Sequence, residues 1–299
     1  MIQADNFSFL ILMLVSFIMV KAGFDKKAFD TIPKLLFNLC MPSLILVSFS
    51  GMDGDMSQTD ALFIIVFVVI YTLAIYPIAL YALRCYKNAD RKEILAFNMI
   101  LGNISFVGLP FISYFFGMWG VRLAIFFSAV QDFFIWSLCY RMFAGKGNIR
   151  QTLKTIMNPC FVAVVGGIII AGIGFVIPSF LLAPIDMLAS MTVPLALLCI
   201  GSLIAQNTGA LRNIDRDAVI SIAIKTFALP AIVFAALYFI GSIDPSLVLL
   251  ATFITALPTG LLSILFSKEF GKDVAFANVA FVLSTLTFIV MCIALLIFM

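Results

Sequence analysis

Histidine is absent from the 299 residues of this chain. That removes zinc-protease helices, His-based triads and imidazole proton relays. Charge is scarce as well: 11% of residues are Asp, Glu, Lys or Arg, against roughly 25% in a soluble domain, so the surface cannot face water all round. The six cysteines (Cys40, Cys85, Cys139, Cys160, Cys199 and Cys292) lie far apart and form no C-x-x-C. They read as small core hydrophobes rather than metal ligands or a disulfide frame. With no G-x-S-x-G and no paired acidic motif, the expectation is a protein that is not an enzyme and uses no cofactor or metal. The net charge of +3 reports loop placement in a chain of this kind and gives no ground for a nucleic-acid partner.

What is present is apolar. Hydrophobic residues make up 64% of the chain, 32 of them Phe, and the mean hydropathy is +1.19. The solvent implied is the lipid bilayer, whose core of about 30 Å takes ~20 apolar residues per helix. Breaking the apolar runs at charged or Gly/Pro/Asn clusters yields ten segments, near 7–24, 32–51, 61–83, 93–116, 122–144, 160–178, 184–205, 218–240, 246–267 and 274–298. All are expected to be helices, because an open sheet edge cannot satisfy its backbone groups in hydrocarbon. The first run, from Phe7, follows an acidic start (Gln3, Asp5) rather than a basic one, so it reads as a span and not as a cleaved signal peptide.

Charge tests this parsing. All but two of the eighteen basic residues fall around the odd-numbered connections: Lys21 to Lys34, Arg84 to Lys92, Arg141 to Lys154, Arg212 with Arg216, and Lys268 with Lys272. The even-numbered connections hold Asp53, Asp55, Asp244 and the single cation Arg122. The positive-inside rule then puts the odd connections in the cytoplasm and both termini outside.

Segments 1–5 and 6–10 share an order of features. Pro42 stands opposite Pro194, Asp60-Ala61 and Asp217-Ala218 open the third and eighth segments, Pro77 answers Pro230, and Phe116-Gly117 answers Phe270-Gly271. Two halves are expected, 1–150 and 151–299. Five spans per half would insert the second half upside down, an arrangement typical of secondary transporters with a site near the midplane. The fourth segment carries Gly102, Asn103, Gly108 and Pro110 in mid-span, and the ninth carries Thr255, Pro258, Thr259 and Gly260 at similar depth. Proline removes a backbone donor and clashes with the preceding turn, so both spans should be interrupted there. Freed backbone groups are tolerated in lipid only where they line a cavity or meet a ligand, and freed helix N-termini suit a carboxylate. An ordinary proline kink is the alternative reading of each proline taken singly.

Two charges lie inside spans: Asp132, beside Gln131 near the middle of the fifth, and Lys225, eight residues into the eighth. Each costs about 2.5–3.5 kcal/mol at the bilayer centre, so each must face a partner, a cavity or water. Both are candidates for ion coupling, by proton or sodium. A structural Asp132–Lys225 pair, or Lys225 snorkelling to headgroups about 12 Å away, is the plainer alternative. Asn38 is a further candidate site residue; Ser202, Asn278, Ser284 and Thr285 fit interhelical hydrogen bonding equally well.

These residues carry a resemblance. The stretch ALPTGLLSILFSKEFGKDV (256–274) resembles the ninth helix of the auxin efflux carrier family, GNISFVGLPFISYFFG (102–117) is similar to its fourth, and VQDFFIWSL (130–138) to its fifth; the prolines of MPSLILVSFS and VPLALLCIGSLIA fit its second and seventh. The chain resembles a short prokaryotic-type member, since no long connection separates the halves. The resemblance implies ten helices in two inverted five-helix repeats, as in the bile-acid symporter-like fold, with helices 4 and 9 broken and crossing. It also implies a scaffold of helices 1, 2, 6 and 7, a moving set of 3–5 and 8–10, and a homodimer in the cytoplasmic (inner) membrane. Substrates in the family are small organic anions such as auxin, malonate or malate. Asn103 matches the family's crossover asparagine and Pro258 the second crossover proline. Where plant carriers have proline just before the asparagine, this chain has Gly102.

The resulting expectation is a secondary transporter of a small carboxylate working by alternating access. Asn103, Thr259 and backbone donors near Gly102 and Pro258 would hold the carboxylate. Gln131 and Asp132 would line the same cavity, with Pro110, Thr255, Gly260 and Asn38 nearby. An anion channel or a sodium-coupled organic anion symporter of the bile-acid type is the alternative.

Overall fold

A computed structural model describes residues 8–50, 57–84, 86, 88, 90–144 and 158–298. The boundary between the halves at residue 150, the cations Lys87, Lys146, Arg150 and Lys154, the acidic Asp53 and Asp55, Cys85 and the start of the first segment at Phe7 lie outside them. Every regular element among the described residues is a helix.

In chain order they are α1 (Ser8–Lys21), α2 (Lys26–Ser50), α3 (Gln58–Arg84), α4 (Lys92–Ile100), α5 (104–116), α6 (118–144), α7 (Pro159–Gly172), α8 (Ser179–Asn213), α9 (Arg216–Ile240), α10 (Pro245–Ala256), α11 (Leu261–Glu269) and α12 (Val274–Phe298). Among the described residues seven stretches are long and apolar enough to cross a membrane: Lys26–Ser50, Gln58–Tyr81, Ile104–Phe143, Ser179–Asn213, Arg216–Ile240, Pro245–Glu269 and Val274–Ile297. Leu10–Lys21 and Pro159–Gly172 are shorter apolar helices. The chain is a multi-pass membrane protein. The Ile104–Phe143 stretch of 40 residues would measure about 60 Å as one rod, twice the hydrocarbon core. It is not one rod, because at Gly117 the backbone leaves helical geometry with φ 62° and ψ −161°, a conformation open to glycine.

Three helices carry a widened turn in which an N–H reaches back five residues: Met41 to Leu36 in α2, Leu109 to Ile104 in α5, and Leu229 to Ile224 in α9. Each ends two residues before a proline, Pro42, Pro110 or Pro230. A proline ring clashes with the carbonyl four residues earlier. Here those carbonyls belong to Asn38, Phe106 and Thr226, all inside the widened turns, which relieves the clash without ending the helix. Pro110 therefore sits within a continuous helix and is not where the fourth segment breaks. A fourth widened turn, Ile135–Cys139 in α6, has no proline, and we have no physical account of it.

Packing follows the small residues. α1 lies along the second half of α8, and α7 along the second half of α2. At Gly201 of α8, a Cβ would stand 2.0 Å from the Met13 carbonyl oxygen of α1, and at Gly167 of α7, 2.3 Å from the Phe49 ring of α2. Only glycine permits these approaches. α3, α4, α5, α6 and α9–α12 form the rest of the core. Two groups of aromatic rings lie within it. Phe97, Tyr140, Phe143, Phe266 and Phe270 pack with centroids 5.3–6.1 Å apart. Phe111, Phe115, Phe116, Phe253 and Phe288 do so at 5.3–5.5 Å, mostly edge to face, as ring quadrupoles prefer.

Candidate functional site

The two interrupted spans meet. α4 ends at Ile100, Leu101 is extended (φ −115°, ψ 139°), and α5 restarts after Asn103. α10 ends at Ala256, with Leu257 and Gly260 extended before α11. The backbone N–H of Asn103 donates to the carbonyl of Pro258 at 2.8 Å, joining the breaks directly. Leu257 fills the angle between them. A Cβ at Gly102 would fall 3.0 Å from Leu257 Cβ, and one at Gly108 2.8 Å from Leu257 Cδ1, so both glycines make room for the opposite strand.

Asn103 is 5% exposed. Its Oδ1 caps α5 by accepting from the Phe106 N–H at 3.2 Å, and its carbonyl accepts from Gly108 at 2.8 Å. Its Nδ2 has no partner among the described residues. A buried amide donor left unpaired costs about 1–3 kcal/mol, which argues for an occupant. Thr259 is fully buried. Its N–H donates to Ser284 Oγ of α12 at 3.1 Å, and its hydroxyl pairs with the same oxygen at 3.1 Å. Gly260 offers α11 no side-chain cap, so the first N–H groups of that helix stay available at its positive end. One orphan amide and one uncapped helix start thus flank the junction, a pair of donors suited to an oxyanion.

The remaining sequence candidates are dispersed around it. Thr255 is buried with its hydroxyl turned back to the Thr252 carbonyl at 2.8 Å. Pro110 is buried on α5 and Gln131 on α6. Asp132, half-buried on α6, lies within electrostatic reach of the Cys160 thiol of α7, which donates to the Phe37 carbonyl of α2. Asn38 is exposed, its amide donating to the Lys34 carbonyl at 2.8 Å, and is not brought to the junction. Lys225 is 1% exposed and forms no ion pair with Asp132. The widened turn that carries it packs against α4 and α10, the two helices whose carboxyl ends reach the breaks.

Asn98, which sequence reasoning passed over, is 0% exposed with neither amide atom partnered among the described residues. It stands two residues before the end of α4. The signal was legible: an amide within the apolar run AFNMI must face inward.

A search of curated proteins yields no match to the chain. The family model described as membrane transport protein matches residues 5–152 and 146–297, nearly the whole length. With that match laid over a multi-pass helical protein whose two interrupted spans touch at Asn103 and Pro258, the chain belongs to the auxin efflux carrier family of membrane transporters.

Proposed function

We propose that this transporter moves a small organic anion, a carboxylate such as malonate, malate or an auxin-like acid, by alternating access. The observation that carries the reading is the junction itself: the unpaired Asn103 Nδ2 beside the uncapped start of α11 is an electropositive spot in hydrocarbon, which a carboxylate satisfies. The chain crosses the membrane ten times in two inverted halves, 1–150 and 151–299. Equivalent packing of α1 on α8 and α7 on α2 supports this, as do matching Phe-Gly turns at Gly117 (φ 62°) and Gly271 (φ 63°). The first, second, sixth and seventh crossings form the scaffold and the others the moving part. The basic odd connections put both termini outside the cytoplasmic membrane.

Asp132 carries the coupling proton near the Cys160 thiol of α7, and Lys225 is the second candidate for ion coupling. The protein works as a homodimer through its scaffold. The test is uptake of radiolabelled malonate into proteoliposomes under imposed proton and sodium gradients. Accumulation driven by the proton gradient supports the reading. Accumulation driven by sodium alone favours the bile-acid type of symport, and conductance without accumulation favours a channel.

A further inference from the structure

We propose that Arg91 is a positioning residue for the carboxylate site: its guanidinium clasps the first turns of α4, α9 and α12 into one unit and so sets where α4 delivers Asn103. The proposal rests on the reading of the junction given above. α4 has only nine residues and runs into extended backbone, which transmits no orientation from the far side of the break. Its body packs on α3 and α11, the Lys272 ammonium lies 3.2 Å from Glu93 in its first turn, and Arg91 is the residue at its start, where it is tied to α9 and α12.

The anchoring is specific. Asp215 and Asp273 are the caps of α9 and α12: one oxygen of each accepts from its own helix, from the Ala218 N–H at 3.0 Å and the Phe276 N–H at 2.9 Å. The second oxygen of each goes to Arg91, Asp273 at 2.7 Å from Nε, and Asp215 against Nη1. Asp217, in the first turn of α9, lies 3.4 Å from Nη1 and also accepts the Tyr86 hydroxyl. The guanidinium lies over the Phe276 ring, 4.7 Å from its centre, and is 21% exposed. Three carboxylates around one cation leave excess negative charge, which the amino ends of three helices offset. A planar fork reaching two caps at once is arginine's geometry and not lysine's. A network of charges of this kind contributes where isolated surface pairs do not.

The caps hold the two acids in place: with one oxygen of each spent on its own helix, the other is presented to Arg91 in a fixed position. The Asp273 N–H also lies 3.4 Å from the Asp90 carbonyl, so the backbone before α4 meets the backbone before α12, which is where an engineered cysteine pair is placed.

The experiment replaces the clasp by a reversible bond. Arg91→Ala is made with Asp90→Cys and Lys272→Cys in a Cys85→Ser background, and malonate uptake is measured reduced and oxidised. Reduced protein should show KM raised about tenfold with its maximal rate little changed, as expected when a binding group is displaced. Oxidation should return KM toward the parental value, and Arg91→Lys should not. Identical KM in the reduced and oxidised states overturns the proposal. So does a parental KM in Arg91→Ala, or a loss of transport on oxidising the cysteine pair with Arg91 intact. If the parent protein takes up no malonate, the carboxylate reading fails by itself, and the clasp is read from hydrogen exchange over residues 92–103. Faster exchange in the reduced variant, slowed by oxidation, supports the clasp; exchange indifferent to both overturns it.

Discussion

Asn103 and Pro258, 155 positions apart in the sequence, share one backbone hydrogen bond of 2.8 Å, and that bond leaves the asparagine side chain free to do two other jobs. Its oxygen caps α5 and its nitrogen is unclaimed among the described residues. Replacing it separates these jobs. Asn103→Ala should cost about 1 kcal/mol for the lost cap and abolish malonate uptake. Asn103→Asp keeps a capping oxygen, so its melting temperature in detergent should stay closer to the parent, yet uptake should vanish because an oxygen now faces the carboxylate. Robust uptake by Asn103→Asp would remove the amide from the site.

The other break hangs on α12 through a single hydroxyl. Ser284 Oγ accepts the Thr259 N–H and pairs with its hydroxyl, so Ser284→Ala orphans two buried groups. The expected loss is about 2 kcal/mol of stability, with a raised KM for malonate. A thermal-unfolding and uptake series on Ser284→Ala and Ser284→Thr checks it, and parental values in the alanine variant refute the linkage.

Gly201 tests the contact of α1 with α8. An added methyl meets the Met13 carbonyl oxygen at 2.0 Å and Ser16 Oγ at 2.2 Å, so α1 must move away as a body. Gly201→Ala should destabilise by about 1–3 kcal/mol. Gly209→Ala, where nothing lies within 4 Å, should stay near neutral. Equal melting temperatures for the two variants would contradict the packing.

The clasp predicts a pH window. Burial works to raise the Asp215 carboxyl, but the Ala218 N–H and the Arg91 guanidinium outweigh it and hold the group below its ordinary value. A depressed acid stabilises the fold above its unfolded pKa, about 4, and loses that contribution as pH falls through the folded value. The stability gap between the parent and Asp215→Asn should therefore be flat from about pH 5 to 8 and close below about pH 4. Tyr86, pushed up to about 12 by burial and by its bond to Asp217, behaves oppositely. The gap between the parent and Tyr86→Phe should persist to about pH 10 and shrink as pH climbs toward the folded value. Chemical denaturation across pH measures both.

Asp132 lies within electrostatic reach of the Cys160 thiol of α7, and no salt bridge to it is formed among the described residues. If it carries the coupling proton, Asp132→Asn should still bind malonate in a thermal-shift assay but accumulate it no faster with an inward proton gradient than without one. Gradient-driven accumulation at the parental rate would end that role.

Sequence reading reached both interruptions, because proline and glycine in mid-span have few other outlets in lipid, and Asn103, Pro258 and Thr259 do lie at their meeting point. It also reached two charges within spans. It did not reach the partition among them: composition cannot say that Asn38 turns back on its own helix, that Thr255 is spent on Thr252, or that Asp132 and Lys225 do not pair. Those outcomes depend on which way a helix face points, and the widened turns before Pro42, Pro110 and Pro230 shift that face. Element ends drifted for a related reason. α2 starts at Lys26 rather than 32 and α8 runs from Ser179 to Asn213, since polar residues at a span's rim extend a helix into headgroups without marking its end.

Each of those three turns holds an inserted residue, and an insertion in a helix is a change of phase. One extra residue advances everything downstream by about 100°. In α9 the residues on either side of Ile224–Ala228 thus answer to different compass bearings, with Ile220 and Ile232 both outward. A helical wheel drawn straight through would misassign half the rod. Deleting one residue from the turn should swing lipid-facing side chains into the interior while leaving the hydropathy profile almost untouched, so an aligned relative with a gap there would present a different lining on the same scaffold.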